Sequence, residues 1–183
     1  MVEEGGALFI VSTPIGNLGD ITLRAIDVLR GADVVLAEDT RHSRTLLDRY
    51  EVRTPVAAYH EHNEAAATPR VLDRLRSGQR VALISDAGTP LLSDPGARLV
   101  RAAADAGHRV VPIPGASALL AALVASAIAA DRFTFHGFLP RKGRERSELL
   151  DAISGPGPTA VLYEAAPRVA DTLAELAKRG CEG

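Results

Sequence analysis

The chain has 183 residues, of which 46% are hydrophobic, and a formal net charge of −2 at neutral pH. This length suits a globular protein with one domain, or with one domain and part of another, and the charge excludes an overall basic field for nucleic acid. Its single cysteine, Cys181, excludes an internal disulfide and a cysteine-rich metal site. The acidic N-terminus lacks the positive flank of a signal peptide, and the most apolar segment, residues 116–130, is shorter than the roughly 20 residues of a membrane span. We therefore expect a cytoplasmic protein without a membrane anchor.

Apolar strands alternate with amphipathic helices along the first 130 residues. This alternation predicts an α/β fold with a mostly parallel sheet flanked by helices. The most apolar helix, the last of this series, is expected to be buried. Strands are predicted at Leu8–Val11, Val34–Ala37, Val81–Ile84 and Val110–Ile113, and helices at Thr22–Leu29, Ser43–Arg49, Glu64–Arg76, Ala97–Ala106 and Ser117–Ile128.

The sequence changes character after Asp131. From there to the end, the pattern predicts a strand, a basic helix, a second strand at Thr159–Tyr163 and a helix that ends near Arg179. Two strands make a poor independent core. We predict an N-terminal α/β domain over residues 1–130 and the start of a second, incomplete α/β domain over residues 131–183.

Loops rich in Gly, Pro, Asp, Ser and Thr come after the predicted strands, at the edge where open α/β sheets bind ligands. The segment Ser85–Gly96 is the most informative, because Gly88 permits a positive φ and close approach of a ligand. The Ser12–Asp20 loop matches neither a dinucleotide fingerprint nor a P-loop. In the Pro114–Ala118 turn, Ser117 suits either a helix cap or a hydrogen bond to a ligand.

Charged residues cluster after the second predicted strand and before the third predicted helix. Glu38–Arg41 offers two carboxylates and a guanidinium for acid and base chemistry, but Asp39 or Thr40 also suits a helix N-cap. His60 and His62 stand two residues apart, which places both on one side of an extended segment but not on one helix face. The sequence offers no third ligand, and we predict no metal site.

These motifs, taken in chain order, resemble those of the bacterial ribosomal RNA small subunit methyltransferase I family, within the tetrapyrrole-methylase-like superfamily. The resemblance implies a class III methyltransferase fold of two α/β domains with S-adenosylmethionine in the cleft between them. Members of the family continue past residue 183, which implies that the second domain is incomplete here. The resemblance runs from about Leu8 to Arg168 and rests on Ser12–Asp20, Glu38–His42, His60–Glu64, Ser85–Gly96, Pro114–Ala118, Gly137–Gly143 and Tyr163–Glu164.

The activity implied by this resemblance is transfer of a methyl group from S-adenosylmethionine to the ribose 2′-hydroxyl of a cytidine in 16S ribosomal RNA. Glu38, Asp39 and Arg41 are the implied catalytic residues. Glu38 or Asp39 would accept the hydroxyl proton, because a ribose hydroxyl is a weak nucleophile at neutral pH. The implied cofactor-binding residues are Pro14, Asp86, Ala87, Gly88, Thr89, Pro90, Leu92, Pro114, Gly115, Ser117, Ala118 and Tyr163.

The resemblance also implies partners and leaves alternatives. The implied partners are 16S ribosomal RNA in the small subunit and a second copy of the chain in a homodimer. A tetrapyrrole methylase of the same fold is the alternative enzyme, and it is disfavoured because Ser12–Asn17 replaces the glycine-rich first loop typical of that branch. A truncated, non-catalytic module that binds cofactor or ribosome is the alternative from another class. The implied phosphate contacts are Arg141, Lys142, Arg144 and Arg146, for which a solvated helix face is the other interpretation.

Overall fold

The computed structural model describes residues 6–181, which form two compact units divided between Ser117 and Ala118. Within these described residues the first unit contains five strands and four α-helices, and the second contains two strands and three α-helices. In chain order the elements are β1 Ala7–Val11, α1 Leu23–Arg30, β2 Val34–Ala37, α2 Thr40–Arg49, β3 Val56–Ala58, α3 Glu64–Arg76, β4 Arg80–Ile84, α4 Ala97–Asp105, β5 Arg109–Ile113, α5 Ala118–Ala125, β6 Phe133–Phe138, α6 Arg144–Ser154, β7 Thr159–Tyr163 and α7 Val169–Lys178.

The sheet of the first unit is parallel throughout, with the strand order β3-β2-β4-β1-β5. Successive residues of each strand face opposite sides, so the apolar strands supply two cores at once. On one side Phe9 and Val11 pack with α1 and α2, and on the other Leu8 packs with α3 and α4. The result is a sheet buried between two layers of helices, as the sequence predicted.

The first sheet has a topological switch point between its neighbouring strands β4 and β1. The chain leaves β1 for α1 on one face of the sheet, whereas it leaves β4 for α4 on the other face. Loops that diverge to opposite faces leave a crevice at the carboxyl ends of the two strands, which is where open α/β sheets bind ligands. The topology therefore predicts a ligand-binding site at the Ser12–Asp20 and Ser85–Gly96 loops.

The second unit is built on the parallel pair β6–β7. Leu139 and Leu150 are its fully buried aliphatic side chains, and α5 packs against β7. The boundary between the two units lies before α5, whereas the predicted domain boundary lies between residues 130 and 131. The helix α5 belongs to the second unit because it contacts that unit's sheet.

The prediction of a buried helix over Ser117–Ile128 is wrong in two respects. The helix α5 ends at Ala125, because Ala127 adopts a left-handed conformation with φ of +58°. Only Leu119 and Leu123 of this helix are buried, while Leu120 and Val124 are exposed. No described helix is long and apolar enough to cross a membrane.

Candidate functional site

Two loops at the switch point are joined by backbone hydrogen bonds. The Thr13 N–H donates to the Gly88 carbonyl at 2.8 Å, and the Gly88 N–H donates to the Thr13 carbonyl at 3.1 Å. The Thr13 hydroxyl also donates to the Ser85 carbonyl at 3.0 Å. This geometry requires a φ of +83° at residue 88, which glycine adopts readily and which costs residues with a side chain energy.

The loop after β5 joins the same edge. The Thr89 hydroxyl donates to the Ala116 carbonyl at 3.3 Å, which leaves its oxygen to accept a hydrogen bond from Ser12 Oγ at 2.9 Å. A Cβ on Gly115 would lie 2.9 Å from Ser12 Cβ, closer than packed carbon atoms approach. The loops after β1, β4 and β5 therefore form one surface, and glycine is required where two of them touch.

The rest of the loop after β4 is conformationally strained. Leu91 and Ser93 have φ of +75° and +69°, which is uncommon for residues with a side chain. Gly96 has φ of +124°, and a Cβ there would lie 2.6 Å from Leu83 Cδ2. Strained residues persist only where the surrounding structure fixes them, and they concentrate at ligand-binding sites.

Glu38 lies among acidic neighbours at the carboxyl end of β2. Burial raises the pKa of Glu38, and the charges of Asp86 and Asp94 raise it further. Burial also raises the pKa of Asp94, against a hydrogen bond from Ser85 that lowers it. A carboxylate with a raised pKa is a stronger base than an ordinary glutamate, so Glu38 has the property that proton abstraction requires.

Asp39 has a different role from its neighbour, because it is the N-cap of α2. Its carboxylate accepts hydrogen bonds from the backbone N–H groups of His42 at 3.2 Å and Arg41 at 2.7 Å, and these bonds lower its pKa. The Asp39 N–H in turn donates to Asp86 Oδ1 at 3.1 Å. The helix-cap interpretation of Asp39 is confirmed, which leaves Glu38 as the better candidate base, while Arg41 is exposed in the first turn of α2.

A cavity of about 380 Å³ opens beside these loops, within the size range of small-ligand sites. It is lined by Pro14, Asp86 and Ala87, which were predicted from the sequence as site residues. It is also lined by side chains of α2, which were not predicted from the sequence. Their spacing along the first turns of a helix after β2 is the signal that could have identified them. Its full lining is Thr13, Pro14, Ile15, Gly16, Leu18, His42, Ser43, Thr45, Leu46, Ile84, Ser85, Asp86 and Ala87.

The other predicted cofactor residues differ in exposure. Pro90 is buried and stiffens its loop, whereas Leu92, Pro114 and Gly115 are exposed. Ala118 begins α5 in the second unit. Tyr163 ends β7 there, and its ring packs edge-on against Phe135 and Phe138, with centroids 4.9 and 5.4 Å away.

Arg146 is not available to contact RNA, which corrects its predicted role. Its side chain is only 10% exposed, and its Nε and both terminal nitrogens donate hydrogen bonds within the second unit. They contact Thr172 at 2.8 Å, Glu175 at 2.9 Å, the Pro140 carbonyl at 3.1 Å and Glu164 at 3.4 Å. Arg146 and Arg168 together balance the buried carboxylate of Glu164, so Arg146 is a structural residue.

The remaining members of the predicted basic patch are on the surface. Arg141, Lys142 and Arg144 are exposed, and Arg144 pairs with Glu148 one helical turn away at 2.6 Å. Within residues 6–181, no group of three or more His, Cys, Asp and Glu side chains could hold a metal ion. The segment with His60 and His62 is a turn into α3, in which Asn63 Oδ1 accepts from the His60 N–H at 2.9 Å.

Comparison with known proteins gives consistent similarities. The sequence model of the Tetrapyrrole (Corrin/Porphyrin) Methylases matches residues 7–182. The chain is 55% identical to the Mesorhizobium japonicum protein named "Ribosomal RNA small subunit methyltransferase I" and 50% identical to the Synechocystis protein of that name, each over 93% of this chain. It covers 58% and 61% of those proteins, so it spans about three-fifths of the relatives' length.

Solved structures share the fold. Diphthine synthase has a TM-score of 0.73 at 16% identity, with 94% of this chain and 72% of that one covered. Uroporphyrin-III C-methyltransferase from Thermus thermophilus has a TM-score of 0.67 at 21% identity, with 97% and 78% covered. At such low identity these likenesses establish the fold alone.

Proposed function

The chain belongs to the tetrapyrrole (corrin/porphyrin) methylase family, and on that premise we propose that it methylates the ribose 2′-hydroxyl of a cytidine in 16S ribosomal RNA, using S-adenosylmethionine. The identity of about 50% with proteins named ribosomal RNA small subunit methyltransferase I carries the proposal. The nucleotide and the position on it derive from the family resemblance of the motifs. The proposed substrate is the RNA within a small-subunit particle, and the proposed form of the enzyme is a homodimer.

The joined loops at the switch point are the proposed cofactor site. Gly88 and Gly115 let the loops after β1, β4 and β5 approach one another closely, since a Cβ on either would meet Ile15 or Ser12. We propose that Asp86, Ala87, Gly88, Gly115 and Ser117 hold the cofactor there. Bound S-adenosylmethionine supplies an electrophilic methyl group on a sulfonium centre. Because such a group is already activated, the protein has mainly to position the acceptor oxygen and exclude water.

Glu38 is the proposed proton acceptor for the ribose hydroxyl. Its carboxylate stands at the carboxyl end of β2, one residue before the cap that fixes the start of α2. Its raised pKa makes it more basic, and Asp39, held by two N–H groups, is a weaker base. The exposed Arg141 and Lys142 remain proposed phosphate contacts.

Two measurements test the proposal in sequence. The first is calorimetric titration of S-adenosylmethionine into the purified chain, for which we expect saturable binding. The second is transfer of a labelled methyl group to undermethylated 30S particles, with nuclease digestion and identification of 2′-O-methylcytidine as the readout.

The same transfer assay is run in parallel with a uroporphyrinogen-type macrocycle as the comparison substrate. Label in the macrocycle and none in RNA would replace the proposal with a tetrapyrrole methylase. Saturable cofactor binding without transfer to either substrate would make the chain a binding module.

A further inference from the structure

A buried hydroxyl in the first unit lacks a hydrogen-bond partner. Ser43 is 3% exposed, and among the described residues no group hydrogen-bonds to its Oγ. The same side chain lines the cavity at the switch point. A buried hydroxyl without a partner is costly, and native proteins retain such a group mainly where it has a function.

The cavity wall is apolar on several sides, acidic at one place, and polar where the His42 ring and several hydroxyl groups line it. Pro14, Ile15, Leu46 and Ile84 supply apolar surface from β4, α2 and the loop after β1. Asp86 adds a carboxylate, which disfavours an anion such as phosphate. The first N–H groups of α2, which would attract an anion, are occupied by the Asp39 carboxylate. This chemistry suits a flat, neutral group with a polar edge.

We propose that this cavity is the subsite for the pyrimidine base of the substrate nucleotide, with Ser43 Oγ hydrogen-bonded to the polar edge of the base. This inference rests on the proposed function and adds a specificity-determining residue to it. The Asp39 N–H bonds to Asp86, so the cavity adjoins the turn that carries Glu38. A base held in the cavity would therefore bring its ribose to the proposed proton acceptor.

The direct test is titration of cytidine into the full ¹⁵N-labelled chain, observed by the backbone amide resonances. We expect shifts at Ile15, Thr45 and Ala87, and none of these shifts with ribose 5-phosphate, which lacks the base. Ser43→Ala should weaken cytidine binding by roughly two- to tenfold, the value of one hydrogen bond. It should not lower the thermal midpoint, because the hydroxyl it removes has no partner among the described residues.

Thr68→Val is the matched control. Thr68 is also a buried helical residue of the first unit, but its hydroxyl donates to the Glu64 carbonyl at 2.7 Å and shares a hydrogen bond with Tyr59 at 2.9 Å. This variant should lose stability and bind cytidine like the wild type. Opposite effects of the two substitutions on stability and binding would separate a ligand contact from a structural role.

Three outcomes would overturn the inference. They are unchanged cytidine affinity in Ser43→Ala, the same amide shifts with ribose 5-phosphate, and cytidine shifts confined to residues outside the cavity. Titration with S-adenosylmethionine distinguishes the two proposals. A chain that binds the cofactor but not cytidine would refute the subsite alone, and one that binds cytidine here but not the cofactor would support the subsite and contradict the proposed function.

Discussion

Replacing Arg146 with methionine should destabilise the second unit rather than weaken RNA binding. The substitution removes a buried cation and leaves the Glu164 carboxylate, which is only 6% exposed, without that partner. Loss of one member of a buried ion pair typically costs about 3–5 kcal/mol. Two features place this case near the lower end, at about 3 kcal/mol. Glu164 keeps its ion pair with Arg168 and its hydrogen bond from Thr172 at 2.8 Å, and Glu175 is exposed enough to be solvated.

Hydrogen exchange of the amides in α6, β7 and α7 is the appropriate assay, since it reports the stability of this unit separately. A loss of about 3 kcal/mol corresponds to roughly 100-fold faster exchange. Arg144→Met is the matched control on the same helix. Its side chain is 90% exposed and pairs with Glu148 on the surface, so its loss should cost about 0.5 kcal/mol or less.

If Arg146→Met exchanged like the wild type and bound ribosomal RNA more weakly, Arg146 would be an RNA contact and not a structural residue. A second check is the variant that combines Arg146→Met with Glu164→Gln. Removing the buried charge should recover part of the lost stability, because in Arg146→Met the buried Glu164 carboxylate is balanced by Arg168 alone. A double variant less stable than Arg146→Met would contradict this explanation.

Three further variants test the first unit. Glu38→Gln should lower kcat by about 10²-fold or more, yet raise the thermal midpoint at pH 7, because the raised pKa means that ionised Glu38 destabilises the folded chain. That gain should disappear below the ordinary pKa of a glutamate, where the carboxyl group is protonated in both states. Asp39→Ala should instead lower the midpoint at pH 7, and the loss should vanish as acid protonates the cap. Gly88→Val should abolish calorimetric binding of S-adenosylmethionine, whereas Gly107→Val, which has φ of +76° but open space around it, should retain it.

Four strands of the first sheet, β1, β2, β4 and β5, were predicted to within one residue. The apolar runs of β1, β2 and β4 are largely buried between the helix layers, so hydrophobicity alone marks them, whereas the edge strand β5 is marked by its apolar run although only Ile113 is buried. The strand β3 was not predicted, since Val56–Ala58 has three residues, comes after Pro55 and lies at the sheet edge with partial exposure. The structure begins α2 at Thr40, three residues before the predicted start, because Asp39 acts as its cap.

The candidate site was partly predictable. Gly88 and Gly115 could be predicted because glycine in a loop at a strand end permits a positive φ or a close approach of backbone. Ser43 does not stand out, because its burial depends on how α2 packs beside two loops. The role of Arg146 was hidden for a similar reason. A basic helix suggests a solvated face, and the carboxylates that pair with it lie 18 and 29 residues away in the chain.

The two joined loops share one physical origin, which is the divergence of the chain at β1 and β4. Because α1 and α4 cover opposite faces of the sheet, neither helix covers the crevice at the carboxyl ends of these two strands. The bridge between Thr13 and Gly88 spans that crevice, and the cavity remains beside it. A substitution that breaks the bridge should therefore alter both the proposed cofactor surface and the proposed base subsite, whereas Ser43→Ala should alter the second alone.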